Sequence, residues 1–467
     1  MSLQISSHSL TPLDHLLAPS YRSPVSTFDL KGKDKDAALS RLQVATTRLA
    51  SHLPFLGASV APYADPDGRV NTFGVYSATD DKIPFYQLQE HAQPTPLLID
   101  GDLNPELMPS VGHLQPSDPC PVMRLKANVV GDMLYLVHSF YHRAMDGMSL
   151  TIVMKVLAQL CCDPDTPEKD LATSAAEQED MRTHLAELGV SSEPQSLRWE
   201  PKPSYRPLSN TTEFRNIPVN RQCVLRADRV RQIQQACQMI LQEHALTKGK
   251  KIRLSTSMIM GAMFGICSHR ARRASGLGEL YGSRFHVLFN IRSLLGLPST
   301  YIGNALVKIS CSLDAQILPS LGVPLTHSAS GLAASDVQRV CNVALALLQE
   351  IQAYTPDHVA GMMGTLNTLE DWSSAAPPSD ALRFSDMRKM EAYYDFGPLG
   401  EVQDVAIAGN KIAGVGWMLP TKPLRPGSKG PAHYELTIAL ERAAIEELEK
   451  DQLFQWVAGT GPSKSKL

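Results

Sequence analysis

Residues 122–161 read VMRLKANVVGDMLYLVHSFYHRAMDGMSLTIVMKVLAQLC and encode two strands followed by a helix. The segments Val122 to Val130 and Met133 to Tyr141 are strand-like, and Gly131-Asp132 between them is typical of a two-residue hairpin turn. From Gly147 to Cys161 apolar residues recur at intervals of three and four, which predicts a helix. A short turn with the sequence HRAMDG therefore joins the second strand to the helix.

This turn carries a histidine, His142, four residues before Asp146. A histidine at the end of a strand can present its ring to a cleft, and its pKa near neutrality suits it to take up and return a proton. Acyl transfer from a thioester is a reaction that needs little more than such a histidine. The thioester is already activated, so the protein must align two substrates, remove one proton and stabilise the oxyanion. His142 is therefore the candidate general base, and a buried structural histidine is the alternative interpretation.

The rest of the chain continues the alternation of helices and strands. Further helices are predicted at Asp36 to His52, Asp228 to Ala245, Thr256 to Arg272 and Ala443 to Asp451. Further strands are predicted at Val70 to Tyr76, Phe214 to Leu225, Phe285 to Asn290, Asp404 to Ala408 and Ile412 to Met418. The pattern predicts an α/β protein of two similar lobes, each a mixed β-sheet flanked by helices.

A polar stretch at residues 162–210 separates the two halves. We expect an N-terminal lobe at 1–195 that carries the histidine turn, a crossover at 196–215, and a C-terminal lobe at 216–467 that carries the DFG-type loop Asp395-Phe396-Gly397. The length of 467 residues agrees with two domains, because one hydrophobic core rarely serves so long a chain.

Composition excludes several classes of function. The formal net charge of −3 gives no electrostatic footprint for nucleic acid. No run of 18 apolar residues supports a membrane span, and the N-terminus lacks the pattern of a signal peptide. The eight cysteines show no CxxC spacing, which argues against a zinc site or a disulfide framework and favours an intracellular protein.

A second histidine, His138, precedes His142 by four residues on the predicted strand. A strand separates two such residues by about 13 Å along its axis, which is too far for both to bind one ion. We therefore expect no metal site.

Several segments, in the family's order, resemble the BAHD acyltransferases, in particular their fungal secondary-metabolism branch. The matching segments are His142 to Gly147 (HxxxDG), Leu254 to Ser257, Asn290-Ile291-Arg292 with Pro298, Tyr301, Gly303 and Asn304 (NxR...P..YxGN), Asp395-Phe396-Gly397 (the start of DFGWG), and Leu440 to Asp451. Two positions differ from related patterns. Pro398-Leu399 replaces the tryptophan of the second signature, and Tyr141 stands where peptide-synthetase condensation domains carry the first histidine of HHxxxDG. The second difference favours a stand-alone acyltransferase.

The resemblance implies a chloramphenicol-acetyltransferase-like fold with a tunnel between the lobes. It implies transfer of an acyl group, acetyl or longer, from acyl-CoA to a hydroxyl or amine of a small-molecule metabolite. Acyl-CoA would be a co-substrate, no metal or organic cofactor would be bound, and the protein would be a monomer.

The resemblance also implies roles for individual residues. Asp146 would pair with Arg292 and support the shape of the catalytic turn. Asp395 and Gly397 would belong to a loop away from the substrate that shapes the coenzyme channel, and Ser385 would lie near the coenzyme. Because coenzyme A carries phosphates, basic residues are expected at its entrance. The candidates are Lys251 with Lys248 and Lys250, or Arg270 with Arg272 and Arg273.

The sequence ends in Ser465-Lys466-Leu467, the tripeptide that the peroxisomal import receptor reads. We therefore expect a peroxisomal location, with the cytoplasm as the alternative.

Two other functions fit the same scaffold. The first is a cyclase or a pericyclic-reaction catalyst in which His142 only binds or polarises the substrate. The second is a non-catalytic scaffold, against which the intact HxxxDG motif argues. Calorimetric binding of acetyl-CoA would separate an acyltransferase from the first of these, which has no use for the thioester.

Overall fold

The structure, a computed structural model, describes residues 8–77, 83–99, 101–109, 119–197, 218–243, 252–278, 282–318, 331–375, 381–407, 413–423 and 433–459. Within these ranges no helix combines the length and the apolar character that crossing a membrane requires.

The strands of the described residues are numbered in chain order. They are β1 (His8–Ser9), β2 (Tyr21–Arg22), β3 (Pro24–Asp29), β4 (Ser59–Pro62), β5 (Phe73–Tyr76), β6 (Tyr86–His91), β7 (Leu98–Ile99), β8 (Asp102–Leu103), β9 (Cys120–Pro121), β10 (Met123–Val130), β11 (Met133–Tyr141), β12 (Pro218–Arg226), β13 (Arg284–Asn290), β14 (Leu306–Ser312), β15 (Leu382–Asp386), β16 (Asp404–Ile407), β17 (Val415–Met418) and β18 (His433–Glu441).

The α-helices are numbered in the same way. They are α1 (Pro12–His15), α2 (Lys35–His52), α3 (Gly147–Cys162), α4 (Ala175–Ser191), α5 (Ala227–Glu243), α6 (Thr256–Ala274), α7 (Ala334–Gln352), α8 (Pro356–Asn367), α9 (Arg442–Leu448) and α10 (Gln452–Ala458).

The first large sheet has the strand order β16-β3-β11-β10-β6, and β2 pairs with the end of β11. The sheet is mixed, because β6 and β10 are parallel whereas β10 and β11 are antiparallel. The predicted hairpin is confirmed: Val130 pairs with Met133, and Gly131 at the turn has a φ of 61°, a conformation that glycine adopts without strain. Helices α2 and α3 cover one face of this sheet, and their apolar side chains share a core with it.

The second large sheet has the order β12-β18-β17-β15-β13-β14. It is also mixed, since β13, β15 and β17 run parallel to one another and the other pairs are antiparallel. Helices α5, α6 and α7 contribute to a second core with this sheet. The expected architecture of two lobes, each a mixed sheet flanked by helices, is confirmed. The tunnel between the lobes and the monomeric state stay predictions.

One expectation about the lobes is wrong. The DFG-type loop was assigned to the C-terminal lobe, but Phe396 and Leu399 are buried in the first core. Strand β16, which follows the loop, pairs with β3 at the edge of the first sheet, with Val405 opposite Ser26. The return of the chain to the first lobe has two benefits. It buries Phe396 and Leu399 in the first core, and it pairs the free edge of strand β3 with β16.

Helix α4 lies in the stretch at residues 162–210 that we interpreted as a polar separation between the two halves. It begins with a capping box, in which the Ser174 Oγ accepts from the Glu177 amide at 3.3 Å and the Glu177 carboxylate accepts from the Ser174 amide at 2.9 Å. Its few apolar residues, among them Met181 and Leu185, pack into the second core although they precede the expected crossover. Most of that crossover, from residue 198 onwards, lies outside the described residues, so the boundaries 1–195, 196–215 and 216–467 stay predictions.

Candidate active site

The turn that carries His142 is held at both ends. On the strand side, the His142 amide donates a hydrogen bond to the Ser20 carbonyl at 2.9 Å. On the helix side, Asp146 is the N-cap of α3, and its Oδ1 accepts from the amide and the hydroxyl of Ser149, each at 2.9 Å. Such a cap satisfies an amide that the helix itself leaves without a partner. The backbone between the two anchors therefore has little freedom.

The predicted ion pair between Asp146 and Arg292 is present. Nη1 and Nη2 of Arg292 donate to the two carboxylate oxygens at 2.9 and 2.8 Å, which is the bidentate geometry of the strongest ion pairs. Arg292 also donates to the carbonyls of Tyr301 and Gly303, and the Ala305 amide donates to Asp146 at 3.2 Å. Burial would raise the pKa of Asp146, but the charge and hydrogen bonds of Arg292 outweigh it and lower that pKa.

Among the described residues, Asp146 accepts hydrogen bonds from Arg292, Ser149 and Ala305. It accepts none from the His142 ring. The carboxylate is fully buried between the start of α3 and the segment after β13. Its position supports the shape of the turn and not proton transfer to the imidazole.

A second buried network holds the other side of the turn. The Asn304 side-chain nitrogen lies 3.1 Å from the His142 carbonyl, 2.9 Å from the Arg143 carbonyl and 2.8 Å from the Asp14 carboxylate. Thr11 donates its amide and its hydroxyl to the other oxygen of Asp14, at 2.7 and 2.8 Å. Helix α1 is thus connected to the backbone of the turn that carries His142 through one asparagine, Asn304.

Asp14 is an unusual carboxyl group because it lies in the interior, and its hydrogen-bond partners among the described residues, Thr11 and Asn304, carry no positive charge. Burial raises its pKa to about 6, although the hydrogen bonds from Thr11 and Asn304 act in the opposite direction. Nothing in the sequence indicated a role for Asp14, and Asn304 stood out only as part of the NxR...P..YxGN segment. The pattern Thr11-x-x-Asp14 indicates a helix start, but nothing local points to a partner 290 residues away.

The His142 ring is half-buried, and its Nδ1 is shielded from solvent. Phe140 meets the ring edge-on, with 5.9 Å between the ring centroids. Burial, and then the positive charge of Arg22, lower the pKa of His142 to about 4. The imidazole is therefore neutral at physiological pH, which is the state that a general base requires.

The DFG-type loop packs at the far end of α3. Gly397 has a φ of 60°, and a Cβ at this position would lie 3.0 Å from the Cys161 carbonyl oxygen. Asp395 accepts a hydrogen bond from the Gly397 amide at 3.0 Å, and the fully buried Phe396 packs edge-on against Phe28. Because α3 has 16 residues, this loop lies about 20 Å from His142. The loop does not contribute to the chemistry directly.

Pro398-Leu399 stands where the family's second signature has a tryptophan. Residues Gly397 to Leu399 form one turn of 3-10 helix, and Leu399 is fully buried. The Leu399 side chain therefore belongs to the first core at the turn of this loop.

The residues proposed for coenzyme binding have different positions. Ser385 is half-buried on β15, on the face of the sheet that points away from the second core. Lys251, with Lys248 and Lys250, lies outside the described residues. Arg270 forms ion pairs with two carboxylates, and Arg272 is buried in a 2.8 Å ion pair with Glu441. These last two arginines stabilise the second lobe, which leaves the exposed Arg273 as the accessible member of that set.

His138 is fully buried, and its Nε2 lies 3.1 Å from the Ser26 hydroxyl. Among the described residues no group of three or more His, Cys, Asp or Glu side chains is arranged to hold a metal ion.

Comparisons with known proteins place this site in a wider context. No family model matches the chain. The chain is 25% identical to the fumigaclavine B O-acetyltransferase of Aspergillus fumigatus over 96% of both sequences. It is 24% identical to the communesin N16 acyltransferase of Penicillium expansum, over 97% of this chain and 98% of that protein.

Two solved structures share the fold. F. graminearum TRI101, crystallised with coenzyme A and deoxynivalenol, matches with a TM-score of 0.70 at 16% identity, over 97% of this chain and 98% of that one. Vinorine synthase matches with a TM-score of 0.59 at 13% identity, over 98% and 95% of the two chains.

The similarity to fungal acyltransferases extends over almost the whole chain, and it includes the fold on which the histidine turn and its buried ion pair are built. The chain is thus similar in sequence to fungal secondary-metabolism acyltransferases and shares the fold of TRI101 and vinorine synthase, which supports an acyl-CoA-dependent O-acyltransferase of the BAHD type.

Proposed function

We propose that His142 is the general base of this enzyme and that it promotes transfer of an acyl group from acyl-CoA to a hydroxyl group of a small-molecule metabolite. The observation that carries the proposal is the geometry of the turn. A neutral, half-buried imidazole is held at the end of β11 by the Ser20 carbonyl, the Asn304 side chain and the capped start of α3.

The reaction follows from this arrangement. Since Nδ1 of His142 is buried, Nε2 is the nitrogen that meets the acceptor. It removes the hydroxyl proton as the oxygen attacks the thioester carbonyl, and a tetrahedral oxyanion forms. The intermediate then expels the coenzyme A thiolate, which takes the proton from the imidazolium. Proton and acyl group are both accounted for, and no covalent acyl-enzyme is needed.

The names of the relatives support this choice of reaction. The A. fumigatus relative is an O-acetyltransferase, the P. expansum relative is an acyltransferase, and TRI101 was crystallised with coenzyme A. We propose acetyl as the first acyl group to test and a hydroxyl as the acceptor, with an amine as the alternative because the P. expansum name refers to a nitrogen. The relatives do not favour a cyclase or a pericyclic catalyst.

The test is release of free thiol from a panel of acyl-CoA thioesters, first with water and then with small alcohols as acceptors. We expect the His142→Ala variant to lose on the order of 10²-fold or more in turnover while its unfolding temperature stays close to that of the wild type. The matched control is His433→Ala, because His433 is an exposed histidine at the start of β18. Equal turnover by both variants would refute the mechanism.

We further propose that the enzyme works in peroxisomes. The support is the terminal tripeptide Ser465-Lys466-Leu467, which lies outside the described residues.

A further inference from the structure

The face of the second sheet that points away from its core carries several polar and charged side chains. On β14, Val307 and Ile309 belong to the second core, so Lys308 between them points to the opposite face. On β15, Leu382 and Phe384 belong to the same core, so Arg383 between them also points to the opposite face.

The two basic residues are close to each other across β13. Lys308 pairs in register with Leu288 on this strand, and Arg383 pairs with His286, two positions earlier. Their long side chains therefore share one region of the sheet face. The Arg383 charge, after burial, contributes to a pKa of about 7 for Lys308.

The first lobe adds a third cation to this region. Arg22 pairs in register with Phe140 on β11, two residues before His142. Its charge lowers the pKa of His142, and the Arg383 charge in turn lowers the pKa of Arg22. Arg383 thus acts on both Lys308 and Arg22, and the three basic side chains form one group next to the strand that leads to His142. We call it the basic cluster.

Lys308 is the most informative member of the cluster. It is half-buried, and it makes no hydrogen bond or ion pair with any described residue. A partly buried amine without a carboxylate is costly, because burial disfavours its charged form. The position therefore fits a side chain whose charged form is stabilised by a bound anion.

We propose that the basic cluster binds a carboxylate group carried by one of the two substrates, close to the acyl-transfer centre. The inference rests on the proposed function, since it assigns the cluster to the substrates of the acyltransferase. A carboxylate there would supply the negative charge that no described residue provides to Lys308, and it would accept charge-assisted hydrogen bonds.

The carboxylate can belong to a dicarboxylic acyl group or to the acceptor, and two pairs of probes distinguish these sources. Acetyl-CoA and malonyl-CoA differ only by a carboxylate on the acyl group. Benzyl alcohol and para-(hydroxymethyl)benzoate differ only by a carboxylate on the acceptor. Affinities would be measured by calorimetry, with the alcohols titrated in the presence of saturating coenzyme A.

We expect the charged member of one pair to bind about tenfold or more tightly than its neutral partner, as one charge-assisted hydrogen bond would produce. The Lys308→Met variant, which keeps most of the length of the side chain but removes its amine, should lose this preference, and Lys308→Arg should retain it. The matched control is Lys155→Met, because Lys155 is exposed on α3.

Two results would overturn the inference. One is equal affinity, or no measurable affinity, for the charged and neutral members of both pairs. The other is a Lys308→Met variant that binds acetyl-CoA and malonyl-CoA with equally weakened affinity, which would assign Lys308 to the coenzyme phosphates. Either result leaves the proposed function intact as long as thiol release depends on His142, whereas a His142→Ala variant with normal turnover refutes the proposed function alone.

Discussion

Arg292 and Asp146, 146 residues apart in the sequence, form a buried bidentate ion pair in which both N···O distances are below 3.0 Å. The pair connects the segment after β13 in the second lobe to the start of α3 in the first. Removal of one partner from a buried pair costs about 3 to 5 kcal/mol, because the remaining charge is left uncompensated. The single variants Asp146→Asn and Arg292→Met should therefore lower both the unfolding temperature and the turnover.

The double variant separates the ion pair from its surroundings. Its loss in the free energy of unfolding should be smaller than the sum of the losses of the two single variants, since removing both charges leaves no unpaired buried charge. Asp146→Asn is chosen because asparagine can still cap α3. Strictly additive free energies of unfolding in this cycle would show that Asp146 has another role.

Asp14 predicts a pH dependence of stability. Its pKa is raised from 3.8 to about 6 in the folded protein, so the protonated form is the one that folding favours. Its contribution is fully present below pH 3.8 and is lost as the pH rises towards 6, a change on the order of 3 kcal/mol. The Asp14→Asn variant should lack this loss.

The measurement is the free energy of unfolding of wild type, Asp14→Asn and the exposed control Asp165→Asn between pH 4 and 7. Wild type and control should lose stability relative to Asp14→Asn as the pH rises. Parallel profiles for all three proteins would contradict a raised pKa of Asp14.

The pKa of His142 predicts the acid limb of the activity profile. Burial and the Arg22 charge hold this pKa at about 4, so kcat/KM should fall only as the pH approaches 4. In the Arg22→Gln variant the imidazolium loses a repelling neighbour, and the limb should move to higher pH. A limb near pH 6.5 in both proteins would show that the ring is solvated during turnover.

The DFG-type loop predicts a variant that is damaged in stability and not in chemistry. Gly397→Ala would place a Cβ in the left-handed region and 3.0 Å from the Cys161 carbonyl oxygen, at a cost of about 1 to 3 kcal/mol. Turnover per folded molecule should change little, because the loop lies at the far end of α3 from His142. Gly32→Ala, where φ is 74° and no atom lies within 4 Å, isolates the conformational part of the cost. A large loss of kcat in Gly397→Ala would assign the loop to catalysis.

The terminal tripeptide predicts the location of the enzyme. A fluorescent protein fused to the N-terminus, with Ser465-Lys466-Leu467 left free at the other end, should accumulate in peroxisomes. The same fusion without the tripeptide is the control. A diffuse cytosolic signal from both would remove the proposed location.

Much of the local structure could be predicted from the sequence. The hairpin, the turn of His142 and helix α3 are predictable within one or two residues. Apolar residues recur about every two positions in a strand and about every three and a half in a helix, and both patterns can be recognised from neighbouring residues alone. Helix α4 was missed for the same reason. Its buried residues are few, and they include polar Gln178 beside Met181 and Leu185, so the apolar period is too sparse to recognise.

The site was only half predictable. The sequence by itself determined the histidine, its turn and, through the family's motifs, Arg292 as the partner of Asp146. Only the tertiary structure decided that Asp14 meets Asn304 across 290 residues, that the DFG-type loop returns to the first lobe, and that Arg22 of one lobe lies near Arg383 of the other. The physical reason is that a side chain's partners across the chain depend on strand order and on which sheet faces are covered. These are settled by the burial of whole apolar surfaces in the folded protein, and no short stretch of sequence contains that information.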